Sequence, residues 1–254
     1  MMKHLLSKTN RGVLEHFART RVLLGFDFDG TLAPIVADPR AVRLRRRTRR
    51  LLRVVAERDP CAVISGRARS DVLARLDGIP VTAVVGSHGL EPNPNRSRLR
   101  RRVRPWVRML HERLDSLSGV VIEDKGVSVA VHYRGAPQKS QTRNAVLAAA
   151  AALGTGVRVV PSRLVVDLLP DVASHKGVAL RQLRAQVADT AVYVGDDASD
   201  EDVFNMNEPG RLLSIRVGRR RDSAASYFLR TQGEVDDLLE ELVRLRNSSR
   251  GLSA

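Results

Sequence analysis

The run Val22–Phe26 (VLLGF) is apolar without alternation and is followed by the turn residues DFDGT. A short unbroken apolar run bounded by turn residues fits a strand covered on both faces, which is the situation of strands in a parallel sheet flanked by helices. The pattern repeats at residues 61–64 (CAVI) and 82–85 (TAVV), which end in SGR and GSHG. Helical periodicity lies between them, over residues 42–57 and 69–76. In an open α/β sheet, ligands bind beyond the carboxyl ends of the strands, so these turns are expected to share one functional edge.

The pattern changes near Asn93, where PNPN marks a break. A basic helix is expected next, then a hairpin over VVIEDKGVSVAVHYR with its turn at DKG. A helix over residues 138–153 and a second hairpin, VRVVPSRLVVDLLP, follow. After Pro170 the strand and helix alternation resumes with HKGVALRQLRAQV and TAVYVGDDASDED. The expected architecture is α/β: a Rossmann-like core with a parallel sheet, made of residues 1–95 and 172–254, plus an inserted smaller α+β cap over 96–171. A cap that closes over a ligand is expected to hinge near Pro92–Pro94 and Pro170–Ser174.

Composition narrows the function class. Hydrophobic residues make up 43% of the 254, enough for a substantial core, and no run reaches the roughly 20 apolar residues of a membrane span. The N-terminus MMKHLLSKTNRG lacks a signal-peptide hydrophobic region, so a cytoplasmic protein without a membrane partner is expected. Cys61 is the single cysteine, which excludes an internal disulfide, and within CAVI it reads as a core thiol. The net charge of +15 comes mostly from arginine, concentrated in RLRRRTRRLLR and RSRLRRRVRPWVR. With only 4% aromatic residues, platforms for stacking bases are missing, so these runs read as solvated helix faces and nucleic acid is not expected as a partner. Lysine occurs only at positions 3, 8, 125, 139 and 176. In a chain that otherwise uses Arg, a lysine at 125 or 176 reads as a specific requirement.

Chemistry concentrates at the strand exits. Asp27 and Asp29 stand two residues apart beside an apolar wall, and one capping role would not explain both. Gly30 permits the tight turn behind them. In GDDASDED, Ser199 and Asp202 fit a helix-start S-x-x-D pattern, with Asp196 and Asp197 preceding it. Oxygen ligands from two strand ends suit a hard cation such as Mg²⁺. Ser65 in ISGR can donate to phosphate oxygens, and Lys176 at an expected helix start needs an anion nearby to offset the helix dipole.

DFDGTLAPI, the Ser of SGR, the Lys of HKG and GDDASDED together resemble the four motifs of the haloacid-dehalogenase-like (HAD) phosphatases. GSHGLE, EDKGVSVAVHYR and the ending through Phe204 narrow the resemblance to the trehalose-6-phosphate phosphatase family. The resemblance implies Asp27 as nucleophile, Asp29 as acid and base, and Ser65 and Lys176 as phosphate ligands. It further implies Mg²⁺ held by Asp27, the Asp29 carbonyl and Asp196, supported by Asp197, Asp200, Gly30 and Thr31. Sugar recognition would fall to Arg67, His88, Glu91, Glu123, Lys125, His132 and Arg134. The sequence departs from the family pattern at Ser199, where Thr is usual, at His175, where Asn or Asp commonly precedes the Lys, and at Asp167, where Glu is more typical. The resemblance therefore implies a phosphatase acting on trehalose 6-phosphate. Its rivals are a relative acting on another disaccharide phosphate or a glycosyl-3-phosphoglycerate, a sugar-phosphate sensor without turnover, and a basic nucleic-acid-binding protein on the same scaffold.

Overall fold

The computed structural model describes residues 2–36, 38–172 and 174–250; Ala173, inside the second expected hinge, lies outside them. In chain order the elements are β1 (Lys3–His4), α1 (Arg11–Ala18), β2 (Val22–Phe26), α2 (Arg46–Ala56), β3 (Cys61–Ile64), α3 (Arg69–Leu76) and β4 (Ala83–Val85). There follow α4 (Arg96–Leu114), β5 (Val121–Asp124), β6 (Val129–His132), α5 (Lys139–Ala151), β7 (Val157–Ser162) and β8 (Val165–Pro170). The chain continues with α6 (Lys176–Val187), β9 (Thr190–Gly195), α7 (Glu201–Phe204), β10 (Leu212–Val217), β11 (Tyr227–Leu229) and α8 (Glu234–Arg250). They form a core unit, Met1–Gly89 with His175–Ala254, and an inserted unit, Leu90–Ser174.

The core unit holds a parallel sheet in the order β1-β11-β10-β9-β2-β3-β4. Every residue of β2, β3, β9 and β10 is buried, as the unbroken apolar runs require. Alternate side chains feed two cores. Leu24, Phe26 and Val63 pack with Leu52 of α2 and Leu238 of α8, whereas Leu23, Ala62 and Ile64 pack with Leu180 of α6 and Phe204 of α7. Cys61 is fully buried in the first core, and burial pushes its thiol far above the usual range. Strand order runs away in both directions from the β2–β9 pair, so the topological switch point lies at the exits of these two strands.

The helix expected over 42–57 starts only at Arg46. Val42 and Leu44 are buried on either side of exposed Arg43, a two-residue alternation that holds this stretch extended, and Arg45 has φ −64° and ψ 151°. Helical spacing would have turned one of the two apolar residues to water.

The inserted unit is an antiparallel sheet in the order β5-β6-β8-β7. One face is apolar: Val129, Val131, Val166 and Leu168 meet Val103, Trp106 and Leu110 of α4 and Val146 of α5. Glu123, Ala130, Asp167 and Val160 lie in one cross-strand row on the other face. No helix among the described residues is long and apolar enough to cross a membrane.

Candidate active site

Asp27 follows β2, and its amide donates to the Val194 carbonyl of β9 at 2.8 Å, fixing it at the switch point. The turn behind it needs Gly30 twice over: φ is +81°, and a Cβ there would meet the Asp196 carboxylate. Asp196 comes from the exit of β9, so the absent Cβ lets the two loops converge. Thr31 Oγ1 donates to Asp196 Oδ1 at 3.4 Å.

Lys176 is the first residue of α6, where the helix dipole disfavours a cation, and two carboxylates resolve that conflict. Its Nζ donates to Asp27 Oδ1 and Asp200 Oδ1, both at 2.8 Å. Tyr193 in β9 donates its hydroxyl to the same Asp200 Oδ1 at 2.7 Å, and the Asp197 amide donates to Asp200 Oδ2 at 2.9 Å. Asp27, Asp200 and Lys176 are 4%, 0% and 1% exposed, so this is a buried cluster rather than a surface ion network. A strand glycine makes room for it, because a Cβ on Gly195 would strike the Asp200 carboxyl.

Burial raises the Asp27 carboxyl to about 8; Lys176 opposes that shift, while Asp200 and Asp29 add repulsion. Asp196 is raised well above the ordinary carboxylate range by burial, then by Asp27 and Asp200. Burial pulls Lys176 down, but Asp200 and Asp27 outweigh it and hold the ammonium well above its usual value. One oxygen from each of Asp27, Asp196 and Asp200 lies within 4.8 Å of the others. Asp200 already accepts from Lys176, Tyr193 and Asp197, which leaves Asp27 and Asp196 as the carboxylates with repulsion to relieve. Two carboxylates held close at strand ends, with a single ammonium that Asp27 shares with Asp200, fit a hard divalent cation with oxygen ligands.

Asp29 is held differently. Arg67 Nε and Nη2 donate to its two oxygens at 2.5 and 2.7 Å, while Nη1 donates to Asp71 at 2.8 Å. The guanidinium also lies 5.9 Å from the centroid of the Phe28 ring. Arg67, expected among the sugar-binding residues, is thus committed to the carboxylate expected to act as acid and base. Ser65 is buried at the end of β3, and its hydroxyl accepts from the Arg67 amide at 3.2 Å, leaving its own proton to donate. Ser87 and His88 take φ of 49° and 56° at the exit of β4, an uncommon conformation for side-chain-bearing residues, and a Cβ on Gly66 would meet the His88 ring.

Two features escaped the sequence reading. Tyr193 sat inside an apolar run with no sign of its hydroxyl contact. Arg216 had a visible signal, a charge inside the mostly apolar run LLSIRV, and it is buried with the rest of that strand. Its guanidinium donates to the Asp196 and Asp197 carbonyls, the latter at 3.2 Å, and pairs with Glu201 at 3.0 Å, holding the loop that bears Asp196 by its backbone. The expected S-x-x-D cap is also corrected. Asp197 and Asp200, not Ser199 and Asp202, form the capping pair, and the buried Ser199 hydroxyl has no partner among the described residues.

In the inserted unit, Lys125 Nζ pairs with Asp167 at 2.7 Å, both side chains 6% exposed. His132 pairs with Glu123 at 2.8 Å, and that hydrogen bond, aided by Lys125, holds the Glu123 carboxyl below its usual range. Glu91 lies 3.8 Å from Arg96, and Arg134 is half-buried just past β6.

A trehalose-phosphatase sequence profile matches residues 25–232, spanning all of the core motifs above. The chain belongs to the trehalose-phosphatase family. The trehalose-phosphate phosphatase of Mycobacterium ulcerans is 34% identical over 235 residues, covering 85% of this chain and 60% of the relative. That of Mycobacterium avium is 33% identical over 238 residues, covering 85% and 61%. The chain therefore spans about three-fifths of the length of the curated relatives it matches. Among solved structures, the C-terminal domain of C. albicans trehalose-6-phosphate phosphatase superposes with a TM-score of 0.83 at 22% identity, covering 96% of this chain and 99% of that one. A Synechocystis sucrose-phosphatase does so at 0.58 and 16% identity, covering 88% and 98%. The fold is the HAD fold of this family, a parallel-sheet core with an inserted cap.

Proposed function

We propose that this chain is a Mg²⁺-dependent phosphatase that hydrolyses trehalose 6-phosphate to trehalose and phosphate. The observation that carries the reading is the buried Asp27–Lys176–Asp200 cluster beside Asp196 at the sheet's switch point, in a chain of this family. Asp27, the Asp29 carbonyl and Asp196 would hold the ion, which when bound would supply Lewis-acid charge. Tyr193 and Arg216 act from behind: one orients Asp200, and the other fixes the backbone of the loop bearing Asp196.

Asp27 attacks phosphorus, forming a P–O bond to its carboxylate as the P–O bond to the sugar breaks. The electron pair goes to the sugar oxygen, which takes a proton from Asp29. Asp29 then takes a proton from water as that water attacks the aspartyl-phosphate, and Asp27 is released with free phosphate. Lys176 keeps positive charge against the phosphoryl oxygens, and the Ser65 hydroxyl donates to one of them. The Arg67 clamp sets the direction of the Asp29 carboxylate between these proton transfers. The polar face of the inserted sheet, with Glu123, Lys125 and His132, supplies donors and acceptors for sugar hydroxyls. A single buried thiol suits the reducing cytoplasm.

Phosphate release from a panel comprising trehalose 6-phosphate, sucrose 6-phosphate, glucose 6-phosphate and glucosyl-3-phosphoglycerate, with Mg²⁺ or with chelator, tests this. Selective Mg²⁺-dependent release from trehalose 6-phosphate is expected. Preference for another ester would keep the mechanism and overturn the substrate.

A further inference from the structure

The two arginine-rich helices are neutralised very differently. On α2 and the residue before it, Arg45 pairs with Asp236, Arg47 with Asp237 and Glu240, and Arg49 with Asp77, so acidic α8 and the end of α3 answer the charge. On its exposed side Arg46, Arg50 and Arg53 have no carboxylate within ion-pair distance among the described residues. Helix α4 has no such counterpart. Its buried face is Leu99, Val103, Trp106, Leu110 and Leu114 at helical spacing. Arg98, Arg100, Arg101, Arg104 and Arg108 are exposed, and none has a carboxylate within ion-pair distance among the described residues.

These five side chains are spread over about 160° of helix surface at ~100° per residue. Arg100, Arg104 and Arg108 repeat at i,i+4, where like charges repel. No acidic residue occupies the first turn, so Arg96 and Arg98 also oppose the helix dipole. Glu91 answers Arg96 at 3.8 Å, but among the described residues no carboxylate offsets the cost at Arg98, Arg100, Arg101, Arg104 and Arg108.

We propose that the outer face of α4 binds the phosphate backbone of double-stranded nucleic acid without reading sequence, a role separate from hydrolysis at Asp27. This departs from the expectation that the arginines are merely solvated. Charge complementarity names the occupant. Among the described residues the outer face exposes Pro105 but no aromatic or large aliphatic anchor of the kind that centres a stable protein interface, nor one for stacking single-stranded bases. The same lack disfavours insertion into a bilayer, and an arc of charge on a helix reaches phosphates on both sides of a groove, whereas a flat lipid surface meets only its crest. Guanidinium forks also suit phosphate geometry.

Fluorescence anisotropy of the full chain with a labelled mixed-sequence duplex, from about 50 to 200 mM salt, tests this. If about four phosphates are neutralised, affinity falls ~10²-fold over that range. The variant R101Q/R104Q/R108Q weakens binding about tenfold or more and flattens the salt dependence by roughly 2–3 in slope. R46Q/R50Q/R53Q on α2 removes the same charge and leaves binding within about threefold, while R101K/R104K/R108K restores the slope. Phosphate release from trehalose 6-phosphate stays at the wild-type rate in all three, and thermal melting verifies that each is folded. If the Gln variant melts early, R104Q alone carries the comparison, with a slope change of about one expected. Absent binding at low salt, equal losses from the α2 and α4 variants, or displacement of the duplex by anionic lipid vesicles would each overturn the proposal.

Discussion

Lys176 in the core unit and Lys125 in the inserted unit are both buried, and both meet carboxylates at 2.7–2.8 Å. Lys125 pairs with Asp167, and the neighbouring Glu123 carboxyl is drawn down by its bond to His132 and by Lys125, so the carboxylate beside this lysine is lowered rather than raised. Lys176 faces two, Asp27 and Asp200, with Asp196 beside them, so that cluster keeps an excess of negative charge. Burial punishes the excess, which is why the Asp27 and Asp196 carboxyls are pushed up. The difference teaches how chemistry is divided. The negative cluster is suited to a cation, whereas Lys125, Asp167, Glu123 and His132 present polar groups already paired with one another.

The sharpest way to break this contrast is to remove each lysine. Lys176→Met leaves Asp27 and Asp200 without their cation, and turnover falls about 10²–10³-fold with roughly 3–5 kcal/mol lost from stability, read by kinetics and urea unfolding. Lys125→Met costs about 3 kcal/mol or less and raises KM about tenfold with little change in kcat. Adding Asp167→Leu to Lys125→Met recovers most of that stability, because an apolar pair can replace a buried ion pair. No equivalent repair exists for Lys176, since Asp27 and Asp196 remain. Equal KM and kcat effects from the two lysines would erase the distinction.

The excess charge also predicts a pH response. A carboxyl whose folded pKa is raised stabilises the fold below its unfolded pKa and loses that contribution as pH rises through the folded one. For Asp27 the window runs from 3.8 to about 8. Chelator-treated protein therefore loses thermal stability from these groups across that range. Mg²⁺ restores it, by about 2.7 kcal/mol at a hundredfold excess over Kd, and the increment in Tm grows with pH. Asp27→Asn removes one raised carboxyl, so the metal-free variant melts above wild type near pH 8. A Mg²⁺ increment independent of pH would contradict the charge argument. The smallest expected effect is Tyr193→Phe, which deletes one buried hydrogen bond to Asp200 and costs about 1–2 kcal/mol in urea unfolding.

Much of the site was legible because its residues violate local rules. Aspartates beside an apolar wall, a lysine at a helix start and lysines in an arginine-rich chain each conflict with ordinary surface logic, and the structure resolves each conflict with a specific partner. The strands β2 and β3 and the helix α3 match the expected residues, since unbroken apolar runs bounded by turns admit few alternatives. The start of α2 was not legible, because the alternation of Val42 and Leu44 lies inside an arginine run that also fits a helix. The Arg67 clamp on Asp29 depends on how loops from two strands meet, which spacing along one chain does not encode, whereas the Asp197–Asp200 cap is local and was masked by the overlapping S-x-x-D spacing in the same stretch.

The most direct test is phosphate release from trehalose 6-phosphate by wild type and Asp27→Asn, each with saturating Mg²⁺ and with chelator. Wild type should turn over only with Mg²⁺, and the variant, folded and still stabilised by the ion through Asp196, should be slower by about 10⁴-fold or more. Undiminished turnover by Asp27→Asn, or full wild-type activity in chelator, would contradict the account.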